Sequence, residues 1–224
     1  QVHGASLDAF RHVSNIVEIE MNAVTDNPIV FESENEAINA GNFHGQPLAL
    51  SFDYMGIAIA ELANISERRI ESLVNPALSH GLPPFLAKCS GLNSGFMIVQ
   101  YTAASLVSEN KVLAHPASID SIPSSANQED HVSMGSIAAR KAASILDNAR
   151  KVVALELMTA AQALDFRNKM TLGKHTEKAY QLIRQTIPFM TKDEIMYPHL
   201  HAIESLIKSD VFYQTIFKGD DLDA

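Results

Sequence analysis

From residue 47 to about 74, apolar side chains return every three or four positions: Leu48, Phe52, Met55, Ile59, Leu62, Ile65 and Leu73, with Arg69 in step. That spacing lays one apolar stripe along a single long α-helix. Pro47 suits a first helical turn, where its missing N–H would be unpaired anyway, and Asn75-Pro76 ends the run. A second such pattern runs from about 133 to 168, with Met134, Ile137, Ala138, Ile145, Ala149, Val152, Val153 and Leu164 on one face. Ala142, Ala143, Ala160, Ala161 and Ala163 leave room for a neighbouring helix to approach closely. A third helix is expected over about 96–114, stopped by His115-Pro116. Helices of about 20 to 35 residues are rods of roughly 30 to 50 Å, longer than a compact chain of 224 residues needs. Rods of that length bury their surplus apolar surface in other subunits. The expectation is an all-α, oligomeric long-helix bundle.

The remaining segments fit around those rods. Residues 3–22 read as an amphipathic helix carrying Leu7, Phe10, Val13 and Val17, and Thr25-Asp26-Asn27-Pro28 stops it. Ile29-Val30-Phe31 reads as a short extended piece, so at most one small β-hairpin is expected near 29–40. Residues 76–95 read as loop, with Gly81, Pro83, Pro84, Gly91 and Gly95. Shorter helices are expected near 175–187, 192–207 and 209–217, followed by a polar tail at 220–224. The chain thus reads as one helical region over 1–224, with long helices in 1–168 and shorter ones in 169–224. It opens on Gln1 with apolar periodicity almost at once and no cap, which predicts further sequence upstream.

Composition narrows the function classes. The net charge of −9 disfavours nucleic acid and anionic membrane as main partners. No apolar stretch is read as approaching the roughly 20 residues that span a bilayer, and no charged-then-apolar leader opens the chain. A single cysteine, Cys89, precludes an internal disulfide and suits a reducing, cytoplasmic compartment. The nine histidines form no His-Glu-x-x-His pattern, and no cysteine pair accompanies them, so no metal is expected. Phosphate-binding glycine loops are missing too.

Two polar stretches stand out. In Ser121-Ile122-Pro123-Ser124-Ser125-Ala126-Asn127-Gln128-Glu129-Asp130-His131, Ser125 and Gln128 have the spacing of a capping box. Gln128, Glu129, Asp130 and His131 are consecutive, so on a helix they would fan out around the axis, and capping cannot use all four. One pointing inward could bind a cationic or N–H-bearing ligand. Gly41-Asn42-Phe43-His44-Gly45 is either a turn feeding the next helix with Phe43 in the core, or a loop whose backbone and ring approach a ligand.

These stretches, with Glu20-Met21-Asn22-Ala23-Val24-Thr25-Asp26-Asn27-Pro28, Gly81-Leu82-Pro83-Pro84-Phe85-Leu86, Asn93-Ser94-Gly95-Phe96-Met97, His115-Pro116-Ala117-Ser118 and Ala161-Gln162-Ala163-Leu164-Asp165-Phe166-Arg167, follow a familiar order. Over about 1–168 the chain resembles the C-terminal portion of the aromatic amino acid ammonia-lyases, and within them the branch that acts on histidine. The resemblance implies a helical bundle assembled as a homotetramer, with active sites shared between subunits. It implies a methylidene-imidazolone prosthetic group made from an Ala-Ser-Gly tripeptide, and conversion of L-histidine to trans-urocanate and ammonia. By the same resemblance Glu129 faces the substrate imidazole, Gln128 lines or supports the pocket, and Phe43 lies beside the electrophile. Asn42, with His44, neighbours Phe43 and is counted with the substrate-binding residues. A carboxylate at 129 favours histidine, because relatives acting on phenylalanine or tyrosine usually carry Gln there. The chain contains no Ala-Ser-Gly, and its nearest imitation, Cys89-Ser90-Gly91, falls in another segment of the family pattern. The resemblance places a carboxylate-binding Arg just before Gln1. The 224 residues are therefore expected to supply part of a pocket and to be inactive alone. The competing readings are a lyase or aminomutase for another aromatic amino acid, and a non-catalytic helical assembly module.

Overall fold

The computed structural model describes residues 1–39, 42–167 and 170–218. Among them are seven α-helices and one two-stranded sheet: α1 (Gly4–Met21), β1 (Ile29–Phe31), β2 (Glu36–Ile38), α2 (Gln46–Val74), α3 (Met97–Leu113), α4 (Gly135–Phe166), α5 (Lys174–Thr186), α6 (Tyr197–Lys208) and α7 (Asp210–Phe217). The expected all-α class, with its one hairpin, is what the chain adopts. Ala40, Gly41, Asn168, Lys169 and 219–224 lie outside the described residues, so the expected polar tail and the first glycine of the Gly41–Gly45 string do as well.

The helices and loops group into two compact units. Unit 1 comprises residues 1–62 and 110–146, and unit 2 comprises 63–109 and 147–224. This division falls elsewhere than the change from long to short helices near 168, and α2, α3 and α4 each contribute a stretch to both units.

In unit 1, β1 pairs antiparallel with β2, Ile29 opposite Ile38 and Phe31 opposite Glu36. The buried residues include Ala9 and Val13 of α1, Ala49, Ala58 and Ile59 of α2, and Ala138, Ala142 and Ile145 of α4. Gly56 lets α4 come close: a Cβ there would stand 3.0 Å from Ile145 Cδ1. Ser6 Oγ donates to Glu61 Oε2 at 2.9 Å and ties α1 to α2.

Unit 2 has the larger share of bulky core residues, including Ile70, Leu86, Val99, Val152, Met158 and Ile203. Each such side chain contributes roughly 1.5–3 kcal/mol by leaving water. Several of its polar groups pair with one another. Glu67 accepts from Gln100 Nε2 at 2.7 Å and from Arg68. Glu156 accepts from Ser66 Oγ at 2.6 Å and from Arg69, whose guanidinium is held above its ordinary pKa chiefly by that bond. Asp193 accepts the backbone N–H groups of Ser94 and Gly95, both at 2.8 Å. These two bonds hold its carboxyl below the ordinary carboxylate value.

Helix α2 corrects one sequence reading. Over an 18-residue window its mean hydropathy is 1.3, so by length and composition it is apolar enough to cross a membrane. Its acidic side chains Asp53, Glu61 and Glu67 nevertheless bond to protein partners. Asp53 and Glu67 are buried, and a buried charge paired within the protein is at home inside a folded chain.

Candidate active site

Both polar stretches singled out in the sequence lie in unit 1. The stretch 121–131 is not the start of a helix. Ser125, Ala126 and Asn127 form a tight turn with φ of 51°, 55° and 71°, all left-handed and none glycine. Such a conformation costs an L-residue roughly 1–2 kcal/mol. The expected capping box is therefore absent. Ser124, at the head of the turn, makes no side-chain cap bond, and the first bonds of α4 go to Met134 O from Ile137 and Ala138. Gln128 to His131 do not fan around a helix axis. Glu129 instead forms an isolated antiparallel bridge with Ser124, whose N–H donates to Glu129 O at 3.0 Å while Glu129 N–H returns to Ser124 O at 3.4 Å. Ser121 Oγ accepts the Val132 N–H at 3.0 Å and closes the loop.

The result is a backbone fixed on both sides of residue 129 and a side chain left over. Gln128, Glu129 and Asp130 are exposed, and among the described residues the Glu129 carboxylate has no hydrogen-bond partner. A negative group so presented can accept an N–H from a ligand at no cost to the fold.

The second loop, 42–45, is bound to the first. His44 Nε2 lies 3.1 Å from His131 O. The two imidazole rings stack with centroids 5.4 Å apart and planes 10° from parallel. One step along the chain a Cβ on Gly45 would sit 3.0 Å from Ser133 Oγ, and one on Gly135 would sit 3.3 Å from Gly45 O. A Cβ at either position would need its neighbour to give by a few tenths of an ångström. Phe43 is 54% exposed, so it is not the core residue that one reading of its turn allowed. Asn42 Nδ2 donates to Val24 O, which anchors its end of the loop and leaves Oδ1 for other contacts. No local pattern announces the His44–His131 pairing, because 87 residues separate the partners.

A buried carboxylate supports the stem of the first loop. Asp53 of α2 accepts the Ser118 N–H at 2.7 Å and pairs with Lys141 Nζ of α4 at 3.2 Å. Burial works to raise its pKa, but the bonds from Ser118 and Lys141 outweigh it and leave the carboxyl below its ordinary value. Lys141 also donates to His115 O, and Gln46 Nε2 donates to Ser118 O at 2.8 Å.

A family model described as aromatic amino acid lyase matches residues 1–185. The chain belongs to the aromatic amino acid lyase family. This lyase chain is 62% identical over 207 residues to a histidine ammonia-lyase of Natranaerobius thermophilus, covering 92% of the chain and 41% of that relative. It matches the crystal structure of histidine ammonia-lyase from Trypanosoma cruzi with a TM-score of 0.93 at 45% identity, over 96% of this chain and 43% of that one. It also matches a tyrosine aminomutase from Streptomyces globisporus with a TM-score of 0.93 at 37% identity, over 98% and 42%. The lyase chain spans about two-fifths of the length of the curated relatives it matches.

Proposed function

We propose that this chain is the C-terminal part of a histidine ammonia-lyase, and that the full-length protein converts L-histidine to trans-urocanate and ammonia. The observation that carries the reading is the Glu129 carboxylate: exposed, without a partner among the described residues, on a backbone pinned at Ser124 and Ser121. An imidazole N–H of the substrate donates to it, and the carboxylate can hold a proton at that nitrogen while the amine departs. Gln128 beside it borders the ring, and Phe43 supplies an apolar face. The identity to histidine ammonia-lyases supports the choice of histidine.

The prosthetic group implied by the resemblance, methylidene-imidazolone, supplies the electrophile, and Phe43 is the residue here that would rest against it. The residues that would form it are not in this chain: at the nearest imitation, Ser90 Oγ donates to Pro84 O and Ala87 O, each at 3.3 Å, as part of a packed turn. The proposal therefore assigns deamination to the full-length protein and none to these residues alone. It includes a homotetramer, supported by the apolar stripe of Leu50, Tyr54 and Ile57 on α2, which are 54%, 46% and 47% exposed.

In the full-length enzyme, Glu129→Gln should lower urocanate formation by about 100-fold or more, the usual scale for a positioned proton-handling group. Thermal stability should be unchanged. Ultraviolet absorbance of urocanate reads the first and a melting curve the second. Undiminished histidine turnover would sink the assignment. The tyrosine aminomutase likeness favours the second reading, another aromatic amino acid as substrate. Higher kcat/KM for tyrosine than for histidine in the unmutated enzyme would establish it.

A further inference from the structure

We propose that His44 is a positioning residue: it sets Phe43 and Glu129 in register by gripping residue 131. The inference rests on the assignment of Glu129 to the substrate ring. Among the described residues, His44 makes one hydrogen-bond contact and one ring contact, both to His131. Its Nε2 reaches the carbonyl oxygen at 3.1 Å, and its ring lies parallel to the His131 ring, centroids 5.4 Å apart. A carbonyl oxygen only accepts, so Nε2 carries the proton in this contact. Phe43 precedes His44 directly, and Glu129 lies two residues before His131. Glu129 is also fixed at its own backbone by the Ser124 bridge, and Val132 is fixed by Ser121 Oγ. The 129–132 segment is thus tied at both ends to its own loop, and His44 is the side chain that ties it to the loop bearing Phe43. The Gly45 and Gly135 contacts bring the backbones together but have no directional bond of their own. Glu129 is exposed and its loop contributes no buried side chain between 122 and 131. Core packing therefore does not set the register, and a polar tether must.

A group acting through position has a recognisable signature. Misplacing a reacting contact by about 1 Å costs on the order of 100-fold in rate. In the full-length enzyme, His44→Ala should lower kcat/KM for histidine about 10- to 100-fold, with a melting temperature like that of the parent. His44→Gln restores an N–H aimed at the His131 carbonyl and should recover most of the loss. His44→Phe restores only a flat ring and should not. Because His44 acts through Glu129, adding His44→Ala to Glu129→Gln should cost little more than Glu129→Gln alone. Hydrogen exchange gives an independent readout: the Glu129 and Val132 amides should exchange faster in His44→Ala. Full activity in His44→Ala, equal failure of the Gln and Phe variants, or losses that simply multiply in the double variant would each overturn the proposal. Were Glu129→Gln harmless while His44→Ala impaired turnover, the proposed function would fall and the double variant would show it directly.

Discussion

The chain uses the same backbone device twice and surrounds it differently. The turn Pro84–Leu86 in unit 2 holds Phe85 and Leu86 left-handed, with φ of 53° and 52°, and the turn Ser125–Asn127 in unit 1 holds three non-glycine residues so. Packing grips the first. Leu86 is 1% exposed, its carbonyl accepts from Gln162 Nε2 at 3.3 Å, and Phe96 N–H donates to Phe85 O at 2.8 Å. The second is exposed at every residue and is held by its own Ser124–Glu129 bridge. Strain locked in a core serves the core. Strain that no side-chain burial offsets is what functional loops retain, and this one presents Gln128 and Glu129.

The contrast can be broken, and the hardest blow falls on the buried turn. Gly95, at φ +55°, lies against it, and a Cβ there would stand 2.6 Å from Phe85 O and 2.7 Å from Ala87 Cβ. Gly95→Ala should cost roughly 2–4 kcal/mol, from the left-handed penalty and the overlap together. Denaturant unfolding of the full-length protein measures this, and a variant as stable as the parent would show that packing does not grip the turn. Gln162→Leu comes next. It leaves Leu86 O, Met190 O and the Met190 N–H without the partner they share, a loss of about 1–3 kcal/mol. Faster exchange of the Met190 amide would localise it.

Smaller effects belong to the exposed turn and its stem. The Asp53 carboxyl lies below its ordinary value of 3.8 in the folded chain, so its contribution is present above that value and lost as pH falls through the depressed one. Asp53→Asn should flatten the acid side of the stability profile between about pH 5 and about pH 3. An unchanged slope would mean that the Ser118 and Lys141 bonds do not matter to it. Ala126→Gly should change least, a gain of up to about 1 kcal/mol as the strained φ is relieved. A loss there would mean that the exposed turn is not strained.

Long-range order was legible where periodicity carried it. The 3.6-residue spacing and the Asn75-Pro76 and His115-Pro116 stops place α2 and α3 within a residue or two of their observed ends. Before α6, the expected start at 192 gives way to Tyr197, because Pro198 belongs in a first turn. Both left-handed turns were hidden. Ser and Gln three residues apart look the same whether they flank a helix start or a turn of opposite hand, and no glycine marks Ser125 to Asn127. Buried carboxylates escaped notice as well: Asp53 and Glu67 are unremarkable in a helical pattern until Lys141 and Gln100, 88 and 33 residues away, supply their partners. Of the candidate residues, Glu129 and Phe43 came from resemblance, and only the fold shows how their loops meet.

The interleaving of the two units governs how the molecule is made. The polypeptide passes from unit 1 to unit 2 at Ala63, returns at Asn110 and leaves again at Asp147. The residues of unit 1 in this chain have thus all been made once Leu146 is added. Asp193, which receives the Ser94 and Gly95 amides, follows them by 99 and 98 residues. At roughly 5–20 residues per second, those amides wait on the order of 5–20 s for their acceptor. During that interval the Ser94 and Gly95 amides lack their carboxylate, and the Pro84–Gly95 region is the natural target for a chaperone.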